Sequence, residues 1–166
     1  MVCTSLKNVV LKNTNKVTYF SNTFGECSGM IDGPEMDTSG AINMYGVFRD
    51  CTSLKVIPEY DVSSVRNADR MFFGCTSLEY VPVLKFSEEI NLYQFFQGCT
   101  SLKEIPKWDY PKNMSQTFYG CTSLKEIPEW FTPAVGCHDV DFIFIGCVNI
   151  ERGIKSCYER ISALNP

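Results

Sequence analysis

One phrase is written again and again along this chain of 166 residues, and it constrains the fold more than any other feature. The stretch Phe118-Tyr119-Gly120-Cys121-Thr122-Ser123-Leu124-Lys125-Glu126-Ile127-Pro128 is nearly a copy of the stretch from Phe96 to Pro106, and weaker copies run in both directions. The cysteines mark the period. Cys3, Cys27, Cys51, Cys75 and Cys99 are spaced by 24 residues, and Cys121 and Cys147 follow at intervals of 22 and 26. Self-similarity at such a period means that each unit is one supersecondary element stacked on the next.

Counting from each cysteine gives seven units: 3–26, 27–50, 51–74, 75–98, 99–120, 121–146 and a divergent 147–166. A phenylalanine stands three residues before the next cysteine at Phe24, Phe48, Phe72, Phe96, Phe118 and Phe144. An apolar residue stands three after it, from Leu6 and Met30 through Leu54, Leu78, Leu102 and Leu124 to Ile150. A second apolar column (Val9, Ile57, Val81, Ile105, Ile127) is broken by Gly33, and proline follows it at Pro34, Pro58, Pro82, Pro106 and Pro128. These columns survive the shorter and longer units, so the length changes belong to a loop late in the repeat.

Within a unit, Ser-Leu-Lys-Glu-Ile is short, half apolar and stopped by proline, which predicts a short strand. Stacked units would pair these strands in a parallel sheet at roughly 4.7–4.9 Å per coil. Lys55, Glu79, Lys103 and Lys125 then form an exposed column beside Val56, Tyr80, Glu104 and Glu126. The half that runs from Asn43-Met44 to Cys51 spaces its apolar residues by three or four, which predicts a helical turn or short helix. Asn43, Asn67, Asn91 and Asn113 form a polar column, expected to satisfy backbone groups where the coil turns inward.

Several classes of function are disfavoured by composition. A net charge of −4 and a pI near 5.0 argue against a nucleic-acid partner, which needs a basic stripe. No run of about 18 apolar residues predicts a membrane-spanning helix, and the N-terminus carries no basic-then-apolar secretion signal. The nine cysteines, completed by Cys137 and Cys157, contain no Cys-x-x-Cys pair, and the sole histidine is His138. An in-register column offers no preferred disulfide pairing, so free buried thiols acting as small apolar fillers fit it better. Cys137-His138-Asp139 could be imagined as a thiol site, yet no third element recommends it. Gly74, Gly98, Gly120 and Gly146 recur once per unit, as backbone turns require, and form no phosphate loop. The expectation is a chain with no catalytic residues, no metal and no cofactor.

The best candidate for recognition is the column after the proline: Met36, Tyr60, Leu84, Trp108 and Trp130, with Asp61 and Asp109 beside it. Aromatic residues next to acids, one coil apart, could make a platform for a sugar chain or a protein. The competing reading is that these large side chains close the edge of the core. In the last unit, Ile150, Ile154, Cys157, Tyr158, Ile161 and Leu164 form a helical stripe opposite Glu151, Arg152, Lys155, Glu159 and Arg160. Residues 151–166 are therefore expected to cap, as a helix, the solenoid of residues 1–150, within one domain. No comparable cap precedes Cys3, so Leu6 and Val9 are candidates for an assembly edge through which copies could associate.

Met71-Phe72-Phe73-Gly74-Cys75-Thr76-Ser77-Leu78, together with Lys-Glu-Ile-Pro-Glu-Trp and the Ser63, Val65 and Asn67 segment, resembles BspA-type leucine-rich repeats. More closely, it resembles the Met-Phe-x-Gly-Cys-x-Ser-Leu variant of mycoplasma lipoproteins and of gut-bacterial and phage surface proteins. Cys147-Val148-Asn149-Ile150-Glu151-Arg152-Gly153-Ile154 resembles the ending of such proteins, and unit 27–50 departs from the pattern at Ser28-Gly29-Met30-Ile31-Asp32-Gly33. The resemblance implies an α/β solenoid of six to seven coils with short parallel strands and short helical turns. It implies surface, secreted or virion display and adhesion to a protein or carbohydrate ligand. A purely structural assembly element is the competing expectation.

Overall fold

The computed structural model describes residues 3–7, 9–87, 89–108, 113–131, 142–153 and 159. Equivalent residues of consecutive units lie beside one another. Parallel bridges join Tyr19 to Asn43, Asn43 to Asn67, Asn67 to Asn91 and Asn91 to Asn113, each partner one unit away. The columns read from the sequence are thus columns in space, and we call each unit a coil.

Phenylalanine rings run through the middle of the stack. Phe24, Phe48, Phe72, Phe96, Phe118 and Phe144 stack face to face at centroid distances of 5.5–5.7 Å, tilted by 21° or less. Each such pair contributes about 0.5–1.5 kcal/mol beyond the area it buries. Leu54, Leu78, Leu102 and Leu124 are wholly buried with this stack, as are Met44, Ala68 and Leu92. One contiguous core results, in which every coil rests on its neighbours.

Where the three–four spacing predicts a helical turn, the backbone instead makes a continuous run of turns, for a reason visible in its hydrogen bonds. The amides of Met44, Gly46, Phe48 and Asp50 donate to the carbonyls of Asn67, Asp69, Met71 and Phe73 in the following coil. The intervening Val47, Arg49 and Cys51 donate three residues back, within their own coil. Alternate N–H groups therefore point in different directions, which an α-helix does not allow. Two columns of left-handed residues make the alternation possible: Asn22, Gly46, Arg70, Gln94 and Gln116 at φ 52–58°, then Glu26, Asp50, Gly74, Gly98, Gly120 and Gly146 at φ 59–79°. The left-handed region costs a non-glycine residue about 1–2 kcal/mol. Here the backbone bonds between coils offset it, and glycine removes the cost across most of the second column.

The predicted strands are reduced to brief pairings. Asp32 bridges Val56 and Glu126 bridges Arg152, both in parallel, and Lys55, Lys103 and Glu151 donate to the carbonyls of Ile31, Glu79 and Lys125. The proline two or three positions later lacks an N–H and halts each pairing. The asparagine column behaves as its residue type predicts. The Oδ1 atoms of Asn43, Asn67, Asn91 and Asn113 accept the amides of Tyr45, Asp69, Tyr93 and Ser115 at 2.9–3.2 Å. Of the capping helix expected at residues 151–166, Glu151, Arg152 and Gly153 are not helical, because Arg152 still pairs in parallel with Glu126 as in the coils before; Glu159 is helical, and the other residues lie outside the described ones.

Candidate functional site

The post-proline column turns inward over most of its length. Tyr60, Leu84 and Trp108 are 4%, 1% and 8% exposed, and Met36 is half-buried. The proline turns the chain back over the core, and the next large side chain lands on the phenylalanine stack. Tyr60 lies 5.9 Å from Phe48, and Trp108 stacks at 5.7 Å on both Phe96 and Phe118. The Tyr60 hydroxyl donates to the Pro34 carbonyl at 2.9 Å. This packing also accounts for Gly33, the gap in the apolar column: a Cβ there would come within 3.0 Å of the Tyr60 hydroxyl and 3.1 Å of Ile57. A continuous aromatic platform is therefore absent, and the edge-packing reading holds for Tyr60, Leu84 and Trp108. Trp130 is the exception at 38% exposed. Asp61 is exposed and engaged locally, its Oδ1 accepting the Ser63 amide and hydroxyl, which lowers its pKa. Asp37 does the same with Ser39. Asp109 lies outside the described residues. Leu6 and Val9 are half-buried against the core.

The cysteine column is buried from Cys27 to Cys147, with Cys3 half-buried, and among the described residues none of these thiols is in a disulfide. They are more than fillers. The Sγ of Cys51, Cys75, Cys99, Cys121 and Cys147 donates to the carbonyl of Phe24, Phe48, Phe72, Phe96 and Phe118 respectively, at 2.9–3.1 Å. Each of these carbonyls already accepts an amide within its own turn, so the thiol occupies its second lone pair. Burial pushes the Cys51 thiol up to about 12 and raises Cys75 and Cys99 well above the ordinary value, leaving no thiolate near neutral pH. Among the described residues no cluster of His, Cys, Asp or Glu is arranged to hold a metal ion. Cys137, His138 and Cys157 lie outside them.

What the stack presents to solvent is the row beyond the buried leucines. Val56 and Tyr80 are 57% and 51% exposed in adjacent coils, and the same column continues as Glu104, Glu126 and Arg152. Lys103 pairs with Glu79 and lies 5.3 Å from the centre of the Tyr80 ring. That pairing raises the lysine pKa and lowers that of the glutamate. Below this row Glu59, Tyr60, Asp61, Val62, Ser63, Val83 and Lys85 line an open groove of about 500 Å³. Val83, 63% exposed, forms its apolar wall. The sequence pattern marks Lys55, Glu79, Lys103 and Lys125 as an exposed column and places this row beside it. The post-proline aromatics are larger and draw the eye in the sequence, whereas the signal for Val56 and Tyr80 is their place two residues past a buried leucine.

This arrangement defines a repeat protein with side chains displayed in register on one face. A family model described as "Mycoplasma protein of unknown function, DUF285" matches residues 2–108 and 90–158. The chain belongs to that mycoplasma-associated repeat family. No curated protein and no solved structure matches it.

Proposed function

We propose that this chain is a non-catalytic binding module, a leucine-rich-repeat-like solenoid of BspA type that recognises a protein or glycan, adhesin-like, at a cell or virion surface. One observation carries the reading. Val56 and Tyr80 stand more than half exposed in a column whose core-side neighbours Leu54 and Leu78 are wholly buried. Tyr80, an aromatic side chain held outward, is an anchor of the type that dominates binding energy at interfaces, with Val56 beside it as an apolar neighbour. The backbone bonds between coils keep such anchors in fixed register, so little ordering entropy is lost on binding.

The test is a glycan-array and cell-surface binding screen comparing the wild type with Val56→Ala, Tyr80→Ala and Trp130→Ala. The proposal expects capture that falls about tenfold or more on removal of Tyr80. Binding unchanged in all three variants removes this face from the account.

A further inference from the structure

The run of turns, which carries neither Val56 nor Tyr80, holds two opposite charges side by side that do not pair. Asp69 and Arg70 are adjacent and half-buried, yet neither forms an ion pair with the other or with any other described residue. Neutral groups of the neighbouring coils hold both in place. The Asp69 carboxylate accepts the Tyr93 amide at Oδ1 (3.1 Å) and the Asn91 side-chain amide at Oδ2 (3.2 Å). The Arg70 guanidinium donates from Nε to Gln94 at 2.6 Å and from a terminal nitrogen to the Tyr45 hydroxyl at 3.2 Å. It also lies 5.8 Å from the centre of the Tyr93 ring. A carboxylate can accept about four hydrogen bonds and a guanidinium can donate about five, so both keep unused capacity.

The surrounding rows, residues 18–22, 42–46, 66–70, 90–94 and 113–116, contain one further charge, the exposed Arg66. On their border Arg49 pairs with Glu26 and lies 3.7 Å from Asp50, and Glu89 is itself engaged. Backbone amides occupy the Oδ1 atoms of Asn43 and Asn67, so their Nδ2 groups remain as donors at fixed positions. Tyr19, bridged to Asn43, is 69% exposed. Tyr19 and Ile42 are the exposed large apolar residues among the described members of these rows, and both lie at one end.

We propose that this patch is a second binding site, for an uncharged oligosaccharide running across the coils, with a sugar hydroxyl between Asp69 and Arg70 and a sugar ring against Tyr19. A hydroxyl donates and accepts at once, so it answers the carboxylate and the guanidinium together. An ammonium or carboxylate ligand answers one of them and stands beside a like charge. Opposite charges in near balance give a polyanion no field to follow. A protein partner needs an apolar centre, and here the apolar groups lie at one end. The site is separate from the Val56–Tyr80 face, and neither reading depends on the other.

The experiment is isothermal titration calorimetry with hexasaccharides of glucose, mannose, galactose and N-acetylglucosamine, and with a hexauronate as their charged counterpart. Wild type, Tyr19→Ala, Asp69→Asn and Tyr80→Ala are compared. Asp69→Asn keeps an oxygen for the Tyr93 amide, Tyr19 is on the surface, and circular dichroism verifies that each variant is folded. At least one uncharged hexasaccharide should bind, about tenfold more weakly to Asp69→Asn and to Tyr19→Ala, and equally well to Tyr80→Ala. Absence of binding by all the uncharged sugars, a preference for the hexauronate, or affinity indifferent to both Asp69→Asn and Tyr19→Ala overturns the proposal. Binding lost on Tyr80→Ala alone places the sugar on the Val56–Tyr80 face, which overturns this site and leaves the binding module standing.

Discussion

Cys75 and Cys99 are wholly buried, each with its Sγ on the carbonyl of a phenylalanine 27 residues earlier. They are expected to resist iodoacetamide at pH 8 in the folded protein and to react at once in denaturant; mass spectrometry of the alkylated peptides reads the difference. Rapid labelling of the folded chain would contradict the described packing. The same thiols set an alkaline limit on stability. Burial raises Cys51 from 9.0 to about 12 and Cys147 from 9.0 to about 11. Above pH 9 the unfolded chain releases protons that the folded chain keeps, so stability is fully present below pH 9 and falls as pH rises toward 11–12. Urea midpoints measured across that range should decline. The tryptophans should also separate. Trp108→Ala removes a ring stacked on two phenylalanines and should cost about 3–5 kcal/mol, whereas Trp130→Ala, at an exposed position, should cost about 1 kcal/mol or less.

At the scale of the coil, the second left-handed column sets glycines with similar backbone against different surroundings. A Cβ on Gly98 would meet nothing nearer than 3.8 Å, so Gly98→Ala should lose only the conformational term of about 1–2 kcal/mol. At Gly146 the added atom would lie 3.2 Å from the Gly120 Cα, so Gly146→Ala should cost more, because the neighbouring backbone must shift. Thermal unfolding of the two variants orders them. This column was legible from its recurring glycine. The other left-handed column was not, because Asn22, Gly46, Arg70, Gln94 and Gln116 spread over four residue types. Their conformation is imposed by amides bonding to the next coil, a constraint between units that no local pattern records. The predicted helical turn failed for that reason. The phenylalanine, leucine and cysteine columns were readable because core contacts repeat with the period. For Tyr60 and Trp108, burial and display call for the same residue type, so only the path of the chain after the proline separates the two.

For the whole molecule, stability approximates a sum over coils and the interfaces between them, so protection is graded along the stack. The amides of Phe72 and Gly74 bond forward to the next coil and lie in the middle of the phenylalanine stack. They should be among the slowest to exchange with deuterium, and those of Leu6 and Leu11 among the fastest. Uniform protection from Leu6 to Phe72 would mean instead that the stack opens as one cooperative body.

The left-handed residues Arg70, Gln94 and Gln116 are also tied by side chains, Arg70 Nε donating to Gln94 Oε1 at 2.6 Å and Gln94 Nε2 to Gln116 Oε1 at 2.7 Å. This chain of donors has a direction, and the direction governs where the array could be lengthened. A duplicate of residues 75–98 spliced in after Gly98 would set one glutamine beside another, and donor would still meet acceptor down the line. A duplicate of residues 51–74 would set guanidinium against guanidinium. The core columns would accept either graft, but only the first would extend the protein without a fault on its surface.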